Sequence, residues 1–161
     1  MNIRTPLNYL AGAAVLLTIA AGGVYYTSQA PAASAATPAT EVALTVYWSD
    51  GDSGRLSDGT KFRLHGIDSP ETGSTKQRGG AKCESERALG FEAKEAALEL
   101  TRGKKVTISE TRGTDRYERT VVRLDLDGKD LAALLVAGGT HRTWDYDGLE
   151  KKPDWCAGPV R

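Results

Sequence analysis

The chain has 161 residues, of which 40% are apolar and 26% charged, proportions that suit one globular domain with an appendage and exclude collagen, coiled coil and wholesale disorder. Its 21 basic side chains balance 21 acidic ones; residues 1–35 contain only Arg4, so the remainder holds 20 basic and 21 acidic groups, a net charge of −1. A histone-like grip on nucleic acid through bulk charge is therefore excluded, and so is a multi-span membrane protein, because there is a single long apolar run.

That run, Tyr9 to Val24, follows Arg4 and precedes two small-x-small sites, Ala30-Pro31-Ala32 and Ala33-Ser34-Ala35. It reads as a cleaved secretory signal or, with Tyr25 and Tyr26 as interfacial anchors, as a retained membrane anchor over residues 9–26. Either reading places the domain outside the cytoplasm, secreted or periplasmic. Residues 27–40 are low-complexity Ala, Pro, Ser and Thr, a flexible spacer. The expected organisation is a signal or anchor with spacer over 1–35, a linker over 36–41 and a folded domain over 42–161.

Within the domain, Val42–Trp48 is β-rich and predicts a strand. Gly54–Leu56 and Thr60–Leu64 predict short strands joined by the hairpin signal Ser57-Asp58-Gly59. Residues 69–82 form a polar, Gly-rich loop, in which Lys76, Gln77, Arg78 and Lys82 are either a solvated surface or a steering patch for DNA. Glu84–Leu100 predicts a helix with an apolar stripe of Leu89, Ala93, Ala96 and Leu100, stopped by Gly103. Strands over Val106–Thr111 and Thr120–Leu126 flank a polar turn, and Asp130 caps a short helix, Leu131–Ala137, that Gly138-Gly139 ends. The tail from Thr140 has no clear period. Five short strands with helices inserted late make a mainly β chain with helices, of the α+β kind. They suit a small closed barrel of OB type with two or three helices.

Cys83 and Cys156 are the only cysteines. Export and an even count point to one disulfide, against two unrelated thiols. A zinc site from these cysteines with His65 and His141 lacks C-x-x-C or H-x-x-x-H spacing.

Three clusters can carry chemistry. Asp50-Gly51-Asp52-Ser53 is either a hairpin turn or a turn presenting carboxylates to a hard cation; Arg55 and Lys61 stand where an EF-hand needs Gly and Glu. In Phe62 to Glu71 (FRLHGIDSPE), strand alternation sets Arg63 and His65 on one face. Pro70 then fixes a turn between Asp68 and Glu71. A buried Arg needs an anion, though a solvated acidic loop with a surface ion pair is the plainer alternative. Asp115-Arg116-Tyr117-Glu118-Arg119 offers a guanidinium fork and an aromatic face in a polar turn.

The order D-G-D-[ST], F-R-L-x-G-I-D-[ST]-P-E, D-R-Y-x-R resembles that of the staphylococcal nuclease (thermonuclease) family over about residues 42–146. The resemblance implies an OB-type five-stranded barrel and a calcium-dependent endonuclease that cleaves DNA and RNA to 3′-phosphate ends. It implies that Asp52, Asp68 and the Ser69 carbonyl hold Ca²⁺, that Glu71 orients or deprotonates the attacking water, that Arg63 and Arg119 clamp phosphate, and that Tyr117 contacts the bound nucleotide. A monomer is expected. Two departures stand out: Glu118 replaces the family's usual Gly, and the tail carries Trp144, Tyr146 and Lys151-Lys152-Pro153-Asp154-Trp155-Cys156 in place of a long helix. A nuclease-like module that binds nucleic acid or protein without cleaving would be expected to lose one or more of the charged residues, all of which are present here. The third alternative, a structural domain of the cell envelope, predicts no metal dependence.

Overall fold

The computed structural model describes residues 42–157, together with the backbone of Ile19–Ala20 and Gly23–Val24, which pair antiparallel. The expected signal or anchor and its spacer otherwise lie outside the described residues. Thr40–Arg161 forms one compact unit. Among the described residues no helix is long and apolar enough to cross a membrane.

The unit is mainly β with two helices. In chain order its elements are β1 (Val46–Trp48), β2 (Ser53–Leu56), β3 (Lys61–Leu64), β4 (Ile67–Asp68), α1 (Glu84–Thr101), β5 (Val106–Thr114), β6 (Thr120–Leu126), β7 (Lys129–Asp130), α2 (Leu131–Ala137) and β8 (Arg142–Thr143). The main sheet runs β1-β2-β3-β6-β5, with β7 paired to β6. All its neighbours are antiparallel except β3 and β6, which run parallel with Arg63 opposite Val121. The sheet is open rather than the expected closed barrel: its two edges meet at one bridge, where Leu44 and Val106 exchange backbone hydrogen bonds of 2.8 Å. A single bridged pair is too short for a ladder, and regular strand structure along this edge begins only at Val46. β4 and β8 pair separately, so a strand of the tail that no sequence period announced lies antiparallel to Ile67–Asp68.

Alternation places Phe62 and Leu64 of β3 in the core with Leu56, Val122, Leu124 and Leu126, and leaves Arg63 and His65 on the other face. Trp48 meets Phe62 edge to face at 5.4 Å and donates its indole N–H to Thr101 at the end of α1. Helix α1 matches its expected span to within one residue, but its buried face is Glu86, Gly90, Ala93, Ala97 and Thr101. Of the expected stripe, Ala93 lies on it and Leu100 packs partly buried against the core, but Leu89 is exposed. The cause is the close approach of the loop after β4. A Cβ on Gly90 would lie 2.5 Å from the Glu71 carbonyl oxygen and 2.9 Å from that of Pro70. Small residues therefore face inward, and Leu89 turns out. Helix α2 has the expected ends, with Asp130 accepting from the amides of Ala132 and Ala133.

Candidate active site

The first cluster is a closed turn. Asp50 Oδ1 accepts from the amides of Asp52 (3.2 Å) and Ser53 (2.8 Å) and from the Ser53 hydroxyl (2.9 Å). A Cβ on Gly51 would lie 2.8 Å from Ser69 Cβ and 3.0 Å from both Ala93 Cβ and His141 Nε2, so only Gly lets the turn sit so deep. The turn then feeds β2, whose pairing sets Ser53 opposite Arg63 and brings Asp52 beside it.

Arg63 is enclosed by acceptors. Its Nη1 lies 3.0 Å from Asp52 Oδ2 and donates to the Leu64 carbonyl (3.0 Å). Its Nη2 donates to the Ile67 carbonyl (2.8 Å) and lies 3.5 Å from Asp68 Oδ1. The side chain is 12% exposed, so the expected anion partner is met within the chain rather than at the surface. Asp52 and Asp68 are themselves buried. The Ser69 amide donates to Asp52 Oδ2 (2.8 Å), which binds the first two clusters together. Pro70, buried behind Ser69, leads to Glu71 at the rim.

Residues of the tail complete this cluster, and sequence reasoning did not find them. Trp155 Nε1 donates to Asp68 Oδ2 (2.8 Å). Lys152 Nζ donates to Glu71 Oε1 (2.8 Å) and lies 3.4 Å from Asp68 Oδ1. The tail is fastened by the Cys83–Cys156 disulfide, with S–S 2.07 Å, which bears out the pairing of the two cysteines. Arg142 stacks over the Trp155 ring at 4.2 Å and donates to the Asp154 carbonyl. The available signal was the Trp-Cys pair itself, since a disulfide at Cys156 necessarily carries Trp155 and Lys152 toward the start of α1. Buried His141 was also missed; its Nε2 donates to the Gly51 carbonyl at 2.7 Å, which supports the first turn from behind.

The electrostatics follow from burial. Desolvation, joined by repulsion from Asp52, pushes the Asp50 carboxyl above the usual range; desolvation, joined by repulsion from Asp68 and Glu71, does the same to Asp52 despite Arg63 beside it. Desolvation raises Asp68 too, opposed by Lys152, Trp155 and Arg63. Lys152 is moved upward: its partial burial disfavours the charge, but the Glu71 hydrogen bond and the Asp68 carboxylate outweigh it. Four carboxylates (Asp50, Asp52, Asp68, Glu71) face two cations (Arg63, Lys152), so four negative charges less two positive ones leave −2.

That donor set, all oxygen and short of two positive charges, fits a hard divalent cation better than a zinc ion. It is not drawn together: Asp52, Asp68 and Glu71 do not place three carboxylate oxygens within 4.8 Å of one another. Among the described residues the trio so spaced is Cys83, Glu86 and Cys156, whose sulfurs are consumed in the disulfide.

The third cluster folds as a turn around Asp115. Its Oδ1 accepts from the amides of Tyr117 (2.9 Å) and Arg119 (3.0 Å), and its Oδ2 from Arg119 Nε (2.8 Å), with Arg119 Nη2 at 2.7 Å. Against some desolvation, these bonds hold Asp115 below the usual carboxylate range. Glu118 sits at φ +60°, the left-handed conformation that Gly adopts without strain. Arg119 also lies 5.3 Å from the centre of the Tyr117 ring.

Arg63, His65, Arg116, Tyr117 and Arg119 line one cleft of about 360 Å³, which Trp144, Tyr146 and Asp147 also line. Trp144 and Tyr146 stand edge to face at 5.4 Å, and His65 Nε2 meets Asp147 at 3.2 Å. Arg63 alone among the charged groups of the acid cluster reaches this cleft, where it shares the lining with Arg119. The arrangement can hold an anion between two guanidinium groups, with flat aromatic faces alongside and a bank of carboxylates behind.

Residues 61–154, more than half the chain, match the family model described as staphylococcal nuclease homologue. A comparison with curated proteins finds no match.

Proposed function

The chain belongs to the staphylococcal nuclease homologue family, and we propose that it is an extracytoplasmic, calcium-dependent endonuclease that hydrolyses phosphodiester bonds of DNA and RNA to 3′-phosphate ends. The observation that carries the reading is Arg63, whose one guanidinium belongs both to a buried acid cluster and to an arginine- and aromatic-lined cleft.

In this reading the cleft takes a single phosphate. Arg63 and Arg119 bind its non-bridging oxygens, and Arg suits the task because its planar fork reaches two oxygens at once. As water attacks, negative charge grows on those oxygens, and two guanidinium groups stabilise it more in the transition state than in the ground state. Glu71 accepts the proton of the attacking water at a carboxylate oxygen. The P–O5′ bond breaks, and the 5′-oxygen leaves with the bonding pair and takes a proton from solvent water, while Glu71 later returns its proton to solvent. Asp52, Asp68 and the Ser69 carbonyl would hold Ca²⁺, with Asp50 fixing the turn that carries Asp52. Calcium, when bound, supplies a Lewis acid that neutralises phosphate charge. Tyr117, Trp144 and Tyr146 offer faces on which bases stack. The disulfide supports an oxidising compartment.

Incubating the full chain with single-stranded DNA in Ca²⁺, and then in EGTA, tests this. Cleavage to 3′-phosphate ends is expected in Ca²⁺ alone. Equal cleavage in EGTA would overturn the calcium mechanism, and binding without cleavage would favour the non-catalytic module.

A further inference from the structure

We propose that Lys152 sets the metal affinity of the acid cluster by occupying it: its ammonium is an internal cation that a divalent ion must displace from Asp68 and Glu71. The inference rests on the calcium reading above and adds to it a residue of the tail.

The geometry is that of a competitor. Lys152 Nζ is 2.8 Å from Glu71 Oε1 and 3.4 Å from Asp68 Oδ1. Asp68 then has neither oxygen at liberty, because Trp155 takes Oδ2 and Lys152 and Arg63 share Oδ1. A calcium ion needs carboxylate oxygens at about 2.3–2.6 Å, so it and the ammonium seek the same Asp68 oxygen with like charge, and Glu71 is freed for its water when the ammonium leaves.

The chain also enforces the competition. Trp155 and Cys156, three and four residues beyond Lys152, are fixed by the Asp68 hydrogen bond and by the disulfide. The ammonium is thus presented at high effective concentration without a binding event. Displacement remains feasible, since the Lys152 side chain is 36% exposed on a flexible stem and can swing into solvent while the backbone stays anchored.

The test is calorimetric titration of Ca²⁺ into the metal-free full chain, which reads binding without turnover. Lys152→Met is expected to bind Ca²⁺ about tenfold more tightly than wild type. Lys152→Arg, which keeps the charge, is expected to stay near wild type. Lys151→Met removes the same charge from the exposed neighbour and is expected to shift affinity less than about twofold. Unchanged or weaker binding by Lys152→Met, or an equal gain in Lys151→Met, overturns the role of Lys152 and leaves the calcium reading intact. Calcium binding by neither wild type nor any variant defeats both. Thermal melts of each variant verify that it is folded.

Discussion

Arg63 and Arg119 share one proposed chemical task but sit in different surroundings, so truncating each should separate catalysis from stability. Arg63 is 12% exposed and stands against two buried carboxylates. Removing one partner of a buried pair costs about 3–5 kcal/mol. Here Asp52 keeps the Ser69 amide, and Asp68 keeps Trp155 and Lys152, which lowers the expected loss for Arg63→Ala to about 2–3 kcal/mol. That loss corresponds to a urea midpoint about 1–2 M lower. Arg119 and its partner Asp115 are 25% and 20% exposed, and Asp115 retains two backbone donors. Arg119→Ala should therefore cost no more than about 1 kcal/mol. Cleavage rates, measured on single-stranded DNA in Ca²⁺ under conditions where each variant is folded, should fall by about 10³ or more in both. Equal destabilisation of the two variants, or an active Arg63→Ala protein, would refute the reasoning.

Two further outcomes follow from particular residues. Glu118→Gly relieves a left-handed conformation at φ +60° that costs about 1–2 kcal/mol in a residue with a Cβ, less about 0.5–1 kcal/mol of added unfolded-state entropy. A net gain approaching 1 kcal/mol in urea melts, with tighter DNA binding once the negative charge leaves Arg119's side, is expected; a loss of stability would mean that the turn does not need the left-handed form. Burial holds the His141 imidazole below its ordinary 6.5, though the Gly51 carbonyl opposes the shift. The unfolded chain therefore takes up this proton first, and stability is lost as pH falls from about 6.5 toward the lower folded value. In metal-free urea melts from pH 7.5 to 5, His141→Gln should flatten that decline relative to wild type, and parallel profiles would contradict it.

Local signals made much of the fold legible. Helix α2 was readable at both ends because a capping Asp and two glycines act through the nearest backbone. Strand β3 was readable because alternation alone separates Phe62 and Leu64 from Arg63. The buried face of α1 was not, since Leu89 and Ala93 satisfy a helical period equally well on either side. Only the carbonyls of Pro70 and Glu71, distant in sequence, decide that Gly90 faces in. The family model spans the second and third clusters, and the structure brings Arg63 and Arg119 to one cleft. Lys152 and Trp155 lay beyond sequence reasoning because no local pattern assigns them a partner; the expected disulfide returns the tail to the start of α1, and only the fold then sets these side chains against Asp68 and Glu71.

The central claim is that both guanidinium groups serve one phosphate beside one calcium ion. A crystal structure of the full chain with Ca²⁺ and a cleavage-resistant phosphorothioate dinucleotide tests it most directly. The account predicts Arg63 and Arg119 both within hydrogen-bond reach of the same phosphate, with the ion on Asp52 and Asp68. Forks on different phosphates, or an ion seated away from those two carboxylates, would contradict it.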